Sequence, residues 1–147
     1  MYMMNLKSKF QRGFTLLELL VVLLITALLA GYVGPKLFGK IEQAKESAAA
    51  SQMKTLADVL GQYRIDTGEY PTEEQGLEAL IVQPAGENNW KGPYLNNEVP
   101  KDPWDHAYVW HNPARDANAT HEVEILSLGA DGQLGGSGKN KDITRGF

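Results

Sequence analysis

From Phe14 to Gly34 the chain reads Phe-Thr-Leu-Leu-Glu-Leu-Leu-Val-Val-Leu-Leu-Ile-Thr-Ala-Leu-Leu-Ala-Gly-Tyr-Val-Gly, almost wholly apolar, with Glu18 as its one charged residue. At about 1.5 Å rise per residue a helix of this length matches the roughly 30 Å hydrocarbon core of a bilayer. The run therefore predicts a membrane-spanning helix and withdraws these residues from any soluble core. Glu18 lies near its start, where a charge in lipid costs on the order of a few kcal/mol. A cut between Gly13 and Phe14 would supply a partner, because the new α-amino group of Phe14 would be a cation one helical turn from Glu18. Between subunits, the same ammonium would meet the Glu18 of a neighbour already packed and so set the axial register.

Residues 1–13 are predicted to be a leader, with Lys7, Lys9 and Arg12 as its charges and no acid before Glu18. The positive-inside rule then keeps this end in the cytoplasm and sends the bulk of the chain across. A secretory signal peptide fits poorly: the run exceeds the usual h-region of about 7–15 residues, and Ala27-Leu28-Leu29-Ala30 is not an A-x-A cleavage site. A plain anchor accounts for the length but not for Glu18 or the Gly13-Phe14 junction.

Arg12-Gly13-Phe14-Thr15-Leu16-Leu17-Glu18 resembles the prepilin-peptidase site of type IV pilins and of the pseudopilins of type II secretion. That resemblance implies cleavage after Gly13, N-methylation of Phe14, and a helical fibre with the apolar segments bundled at its centre.

Of the formal net charge of −4, the leader contributes +3, which leaves −7 from Phe14 onward. Such an acidic exported domain has no electrostatic reason to bind nucleic acid. The chain has no cysteine, so disulfides and thiolate metal sites are excluded, and a small extracytoplasmic domain must draw stability from packing, a bound metal or oligomerisation. The histidines, His106, His111 and His121, show no HExxH-type spacing, and there is no G-x-S-x-G, no phosphate loop and no defensible Ser, His and Asp set. The chain is not expected to be an enzyme.

Residues 14–66 are predicted to form one long helix, weakened where Gly31, Gly34, Pro35 and Gly39 cluster, so that a kink or local unwinding is expected near Pro35. Leu37, Ile41, Ala44 and Ala48, then Ala49, Met53, Leu56, Leu60 and Tyr63, give an apolar stripe that should pack on the globular domain. Lys40, Glu42, Lys45, Glu46 and Lys54 form the opposite, solvated face. Asp66-Thr67-Gly68 ends the helix. Thr72 and Gln75 fit a capping box opening a second, short helix with Leu77, Leu80 and Ile81 buried, and Trp90 and Tyr94 are packing anchors. Tyr108 to Trp110 and His121 to Leu128 read as strands, with residues 112–120 as the hairpin loop and Glu122 and Glu124 opposed to the buried Val123, Ile125 and Ser127. The fold class expected from this pattern is α+β, a long N-terminal helix, membrane-spanning in its first half, on a small antiparallel sheet of about three strands, and the resemblance implies that it is pilin-like. Residues 14–34 form the transmembrane and assembly half and residues 35–147 the periplasmic domain.

Near the C-terminus, five glycines between 129 and 138 let the backbone fold tightly, and Asp131 and Asp142 bracket them. Two carboxylates with backbone carbonyls and water can satisfy calcium, which takes about six to eight hard oxygen ligands, although Lys139 and Lys141 would weaken a site. A flexible turn is the alternative. Tyr70-Pro71-Thr72-Glu73-Glu74-Gln75-Gly76-Leu77, Trp90-Lys91-Gly92-Pro93-Tyr94-Leu95, Asp102-Pro103-Trp104 and Ser127-Leu128-Gly129-Ala130-Asp131-Gly132 look like the major-pseudopilin family of type II secretion. That resemblance implies calcium in the C-terminal loop, held by the side chains of Asp131 and Asp142 and the carbonyls of Leu128 and Gln133. After Trp104 the family usually has Gly, where this chain has Asp105-His106, and the segment from His111 to Thr120 looks long.

The expected function is a non-enzymatic subunit, processed by prepilin peptidase and held in the bacterial inner membrane. It would polymerise with itself into a periplasmic fibre that drives export of folded proteins. Its expected partners are the minor pseudopilins and the inner-membrane assembly platform, with ATP hydrolysis supplied elsewhere. A major type IV pilin is disfavoured by the missing cysteines and the calcium-type tail. An unprocessed, membrane-anchored binding module is the remaining alternative.

Overall fold

A computed structural model describes residues 13–115 and 118–147. Lys7, Lys9 and Arg12 of the expected leader, and residues 116 and 117 of the hairpin loop, lie outside the described residues. Helix α1 spans Leu16–Thr67. Thr15 caps it, its Oγ1 accepting the Glu18 N–H at 3.2 Å. Gly68 terminates it at φ +97°, where a side chain would be strained, and donates its N–H to the Arg64 carbonyl at 2.8 Å. The unwinding expected near Pro35 is not present, since the helix continues through that residue. A proline removes one donor, and the turns on either side retain theirs. The chain nevertheless resolves into two compact units, one ending at Lys40 and the other comprising Ile41–Phe147.

In the first unit, the large apolar side chains are exposed throughout, from Val21 at 43% to Leu16 at 82%. Thr26 satisfies its hydroxyl, which lies 2.9 and 3.0 Å from the carbonyls of Val22 and Leu23, within the helix. At the end of the apolar run Lys36 donates to the Tyr32 hydroxyl at 3.0 Å and stands 4.5 Å from its ring centroid.

The second unit buries the helix face formed by Ala49, Met53, Leu56, Ala57, Leu60 and Tyr63 against Leu77, Leu80, Tyr108, Trp110, Val123 and Ile125. Each fully buried Leu, Ile or Val there contributes about 1.5–3 kcal/mol. The first half of the predicted stripe does not join this core: Leu37 and Ile41 remain 55% and 43% exposed. The buried row lies one position over. Glu42 accepts from Trp104 Nε1 at 3.1 Å and Lys45 lies 5.9 Å from the Trp104 ring, so two charges expected in solvent hold the domain instead. Gln52 continues the row, accepting the Tyr108 hydroxyl at 2.6 Å.

The capping box is formed, with Thr72 N–H on Gln75 Oε1 at 2.8 Å and Gln75 N–H on Thr72 Oγ1 at 3.2 Å. The predicted second helix is cut to turns and a 3₁₀ segment, Leu77–Leu80, because Gly76 adopts φ +62°. Leu77 and Leu80 are still buried. Trp90 and Tyr94 anchor the following loop, Trp90 Nε1 donating to the Ala79 carbonyl at 2.8 Å and Tyr94 OH to Asp66 at 3.0 Å.

Three strands, β1 (Val109–His111), β2 (Glu124–Ser127) and β3 (Ile143–Gly146), form an antiparallel sheet in that order. Trp110 pairs with Ile125 across β1–β2, and Ile125 with Arg145 across β2–β3. All four residues of β2 are buried, so the expected polar face exists only at Glu122, which is exposed and meets Arg64 at 3.0 Å. Glu124 is buried, because the hairpin loop and the C-terminal residues cover the outer side of the central strand.

Asp105 is the one non-glycine residue among those described with positive φ, at +69°, and it forms an exposed ion pair with Lys101 at 3.0 Å. It follows Trp104, where the resemblance leads one to expect glycine. Left-handed backbone strains an L-residue by about 1–2 kcal/mol, less for Asp, and an exposed ion pair contributes about 0–1 kcal/mol. Asp105→Gly is therefore expected to stabilise the domain by up to about 1 kcal/mol in denaturant titration; a loss of more than that would mean the ion pair dominates.

Candidate functional site

The loop between β2 and β3, residues 128–142, closes on itself through two short 3₁₀ turns, Gly129–Asp131 and Gly138–Asn140. Its glycines permit close backbone approach. A Cβ on Gly129, at φ +63°, would come within 2.8 Å of the Lys141 carbonyl oxygen, and one on Gly136, at φ +91°, would collide with Asn140. Asp131 is exposed and accepts the Gln133 N–H at 3.2 Å. Asp142 is half-buried: its Oδ2 accepts the Gly135 N–H at 2.8 Å, while its Oδ1 is buried without a hydrogen-bond partner. Leu128 is half-buried and Gln133 exposed. No cluster of three or more His, Cys, Asp or Glu suited to a metal occurs among the described residues. A cation here would depend on two carboxylates and on backbone carbonyls, which is the hard-oxygen donor set suited to calcium. The unpartnered Asp142 oxygen fits such a cation.

Behind this loop stands Asp102, which is buried. Its Oδ1 accepts the N–H groups of Trp104 and His106 at 3.0 and 2.8 Å, and its Oδ2 accepts the Ser127 hydroxyl at 2.6 Å. His106 turns its Nδ1 to the Gly129 carbonyl at 3.0 Å. These three residue types do not compose a catalytic triad: the acid holds the serine directly, and the imidazole is spent on a backbone carbonyl.

A second polar cluster escaped the sequence. His111 Nδ1 lies 2.9 Å from Glu124 Oε1, His121 Nε2 lies 3.3 Å from Oε2, and the Arg115 N–H donates to Oε1 at 3.0 Å. Only the register His111↔Glu124 reveals it, and register is not readable from spacing. The role is structural, tying the β1–β2 hairpin across its buried end. Burial alone would raise the Glu124 pKa, but the hydrogen bonds from His111, Arg115 and His121 outweigh it and hold it below the ordinary carboxylate value. A carboxyl whose folded pKa is depressed stabilises the fold above its unfolded pKa, near 4.3, and that contribution is lost as pH falls through the lower folded value. Glu124→Gln is expected to cost about 1–3 kcal/mol at pH 7, with the gap to wild type closing below about pH 4 in denaturant titrations. A gap independent of pH would assign the cost to packing.

At the other end of the chain, Gly13 and Phe14 precede helix α1 and are exposed, and Glu18 lies exposed in its first turn. Helix α1 is the one helix among the described residues long and apolar enough to cross a membrane, and none of its apolar window is buried.

Residues 36–146 match the family "Type II secretion system (T2SS), protein G", and residues 8–33 match the "Prokaryotic N-terminal methylation motif". The type II secretion system core protein G of Vibrio cholerae is 39% identical over 140 residues, 93% of this chain and 92% of that protein. The core protein G of Escherichia coli K12 is 40% identical over 129 residues, 85% and 86% of the two chains. The crystal structure of the major pseudopilin of enterohaemorrhagic Escherichia coli superimposes with a TM-score of 0.62 at 32% identity, covering 75% of this chain and 93% of that one. A membrane-length methylation-type N-terminus and a pilin-like domain agree with these relatives, and the chain belongs to the type II secretion system protein G family, as a structural pseudopilin rather than an enzyme.

Proposed function

We propose that the chain is the repeating subunit of a type II secretion pseudopilus, stored in the inner membrane through residues 14–34 with residues 35–147 in the periplasm. The observation that carries this is the exposed apolar half-helix, on which seventeen large hydrophobic side chains from Phe14 to Ile41 lack cover within the subunit. At about 1.5–3 kcal/mol each, leaving them in water would cost on the order of 20 kcal/mol or more. Lipid covers them before assembly and neighbouring subunits afterwards.

In this reading prepilin peptidase cuts after Gly13, and Phe14 is N-methylated. The Phe14 ammonium of an incoming subunit meets Glu18 of one already packed. Phe14 and Thr15 lie outside helix α1, so the i,i+4 spacing within a single subunit is not built by the helix, which favours the pairing between subunits. Minor pseudopilins and the assembly platform act on the growing fibre, which moves folded proteins toward the outer membrane. The Leu128 and Gln133 carbonyls with Asp131 and Asp142 hold calcium, which ties the C-terminal loop.

Mass spectrometry of the chain isolated from membranes of its host tests the processing. The expected N-terminus is a methylated Phe14; a mature protein that begins at Met1 overturns the fibre reading and leaves a simple anchor.

A further inference from the structure

We infer that His106 is a positioning residue for the C-terminal cation loop, fixing the backbone that presents the Leu128 carbonyl. The inference rests on the calcium reading above. A carbonyl only accepts, so Nδ1 of His106, 3.0 Å from the Gly129 oxygen, carries the proton. The Gly129–Ala130 peptide is thereby held from outside the loop. The preceding peptide is held as well: Gly129 N–H faces Ser127 Oγ at 3.4 Å, and Ser127 is bound to Asp102 at 2.6 Å. In a trans peptide the C=O points opposite to the N–H, so this contact directs the Leu128 carbonyl away from Ser127.

Asp102 anchors both restraints, because it also receives the His106 N–H at 2.8 Å. The His106 ring covers Gly132 too, where a Cβ would lie 3.0 Å from Nε2. Gly129 is left-handed and intrinsically free to reorient. Two hydrogen bonds, one to its carbonyl and one from its N–H, restrict that freedom. Their expected effect is on affinity, because a loop already ordered pays less conformational entropy on binding a cation.

Isothermal titration of the full-length chain in detergent micelles with calcium chloride, on wild type, His106→Ala and His106→Asn, decides the matter. Loss of an outer-shell partner typically weakens metal binding about 10–100-fold. His106→Ala is expected to show a Kd increase in that range, and His106→Asn, whose amide nitrogen can replace Nδ1–H, to recover most of it. A fold-maintaining role alone would lower the melting temperature in chelator without this pattern of rescue. Calcium binding by His106→Ala equal to wild type, or equal loss in both variants, overturns the inference while the calcium reading stands. Absence of calcium binding by wild type overturns both.

Discussion

Glu18→Gln is expected to abolish pseudopilus fibres while leaving the subunit folded and inserted in the membrane. Glu18 has a second, local role to separate from assembly, because its N–H is capped by Thr15 and it occupies the third helical position. Glutamine serves at that position of a capping box as glutamate does, so the helix start is preserved and only the charge is removed. Insertion should if anything improve, since an uncharged residue lightens a penalty of a few kcal/mol at bilayer depth. Assembly should fail, because a Phe14 ammonium entering the fibre would find no counter-charge. At about 4 Å and an effective dielectric near 20 the lost attraction is on the order of 4 kcal/mol per contact, against about 1 kcal/mol in water. Methylation of the amine does not rescue this, since it keeps the charge. Electron microscopy of fibres and membrane fractionation of the same cells read the two effects separately. Wild-type fibre yield from Glu18→Gln would refute the pairing.

Much of the domain was legible because the signals were local. The Thr72–Gln75 box and the Gly68 terminus depend on residues close in sequence, and each is in place; the anchors Trp90 and Tyr94 stood out as large aromatics in a loop, although their partners, Ala79 and Asp66, are 11 and 28 positions away. Periodicity found the buried helix face from Ala49 to Tyr63 but extended it back through Leu37 and Ile41, which stay exposed. The phase error is physical. Spacing alone cannot tell an apolar row that packs in its own domain from one that awaits lipid or another subunit, and Glu42 and Lys45, polar by composition, face Trp104. Alternation likewise put Glu124 in solvent, whereas β2, as the central strand, is covered on both sides. Strand β3 is four residues long and carries too little pattern to be placed in advance.

The candidate sites divide along the same line. Asp131 and Asp142 stood out because glycines surround them, and the loop does curl with Gly129 and Gly136 at its tight points. His106 drew attention as one of three histidines without metal-ligand spacing and as part of a departure from the family pattern, and its contact with Gly129, 23 positions away, depends on tertiary structure. Asp105 was legible as a departure and becomes intelligible through its backbone, since the position it fills is left-handed.

Calcium is expected to raise the melting temperature of the full-length chain in micelles, and Asp142→Asn to remove that shift. Asparagine keeps an oxygen for the Gly135 N–H, 2.8 Å away in the wild type, so the loop's internal hydrogen bond can survive while one formal charge is lost. In chelator, the variant should therefore melt near wild type, because Oδ1 has no protein partner to forfeit. With calcium at about a hundred times Kd, binding to the folded state alone contributes about 2.7 kcal/mol, and about 1 kcal/mol moves the melting point of a domain this size by roughly 2–8 °C. The wild-type shift should thus be on the order of 10 °C. Lys139 and Lys141 lie within the loop and are expected to weaken the site, more so at low salt where their charges are least screened. Magnesium should give a smaller shift, since it demands near-octahedral geometry and sheds water reluctantly. Coincident melting curves of wild type in calcium and in chelator would remove the metal from the loop. A full shift retained by Asp142→Asn would move the site elsewhere. With neither disulfide nor thiolate possible in this chain, either result would leave the glycine-rich loop to be ordered by its own hydrogen bonds to Asp131 and Asp142 and by the Asp102, Ser127 and His106 contacts.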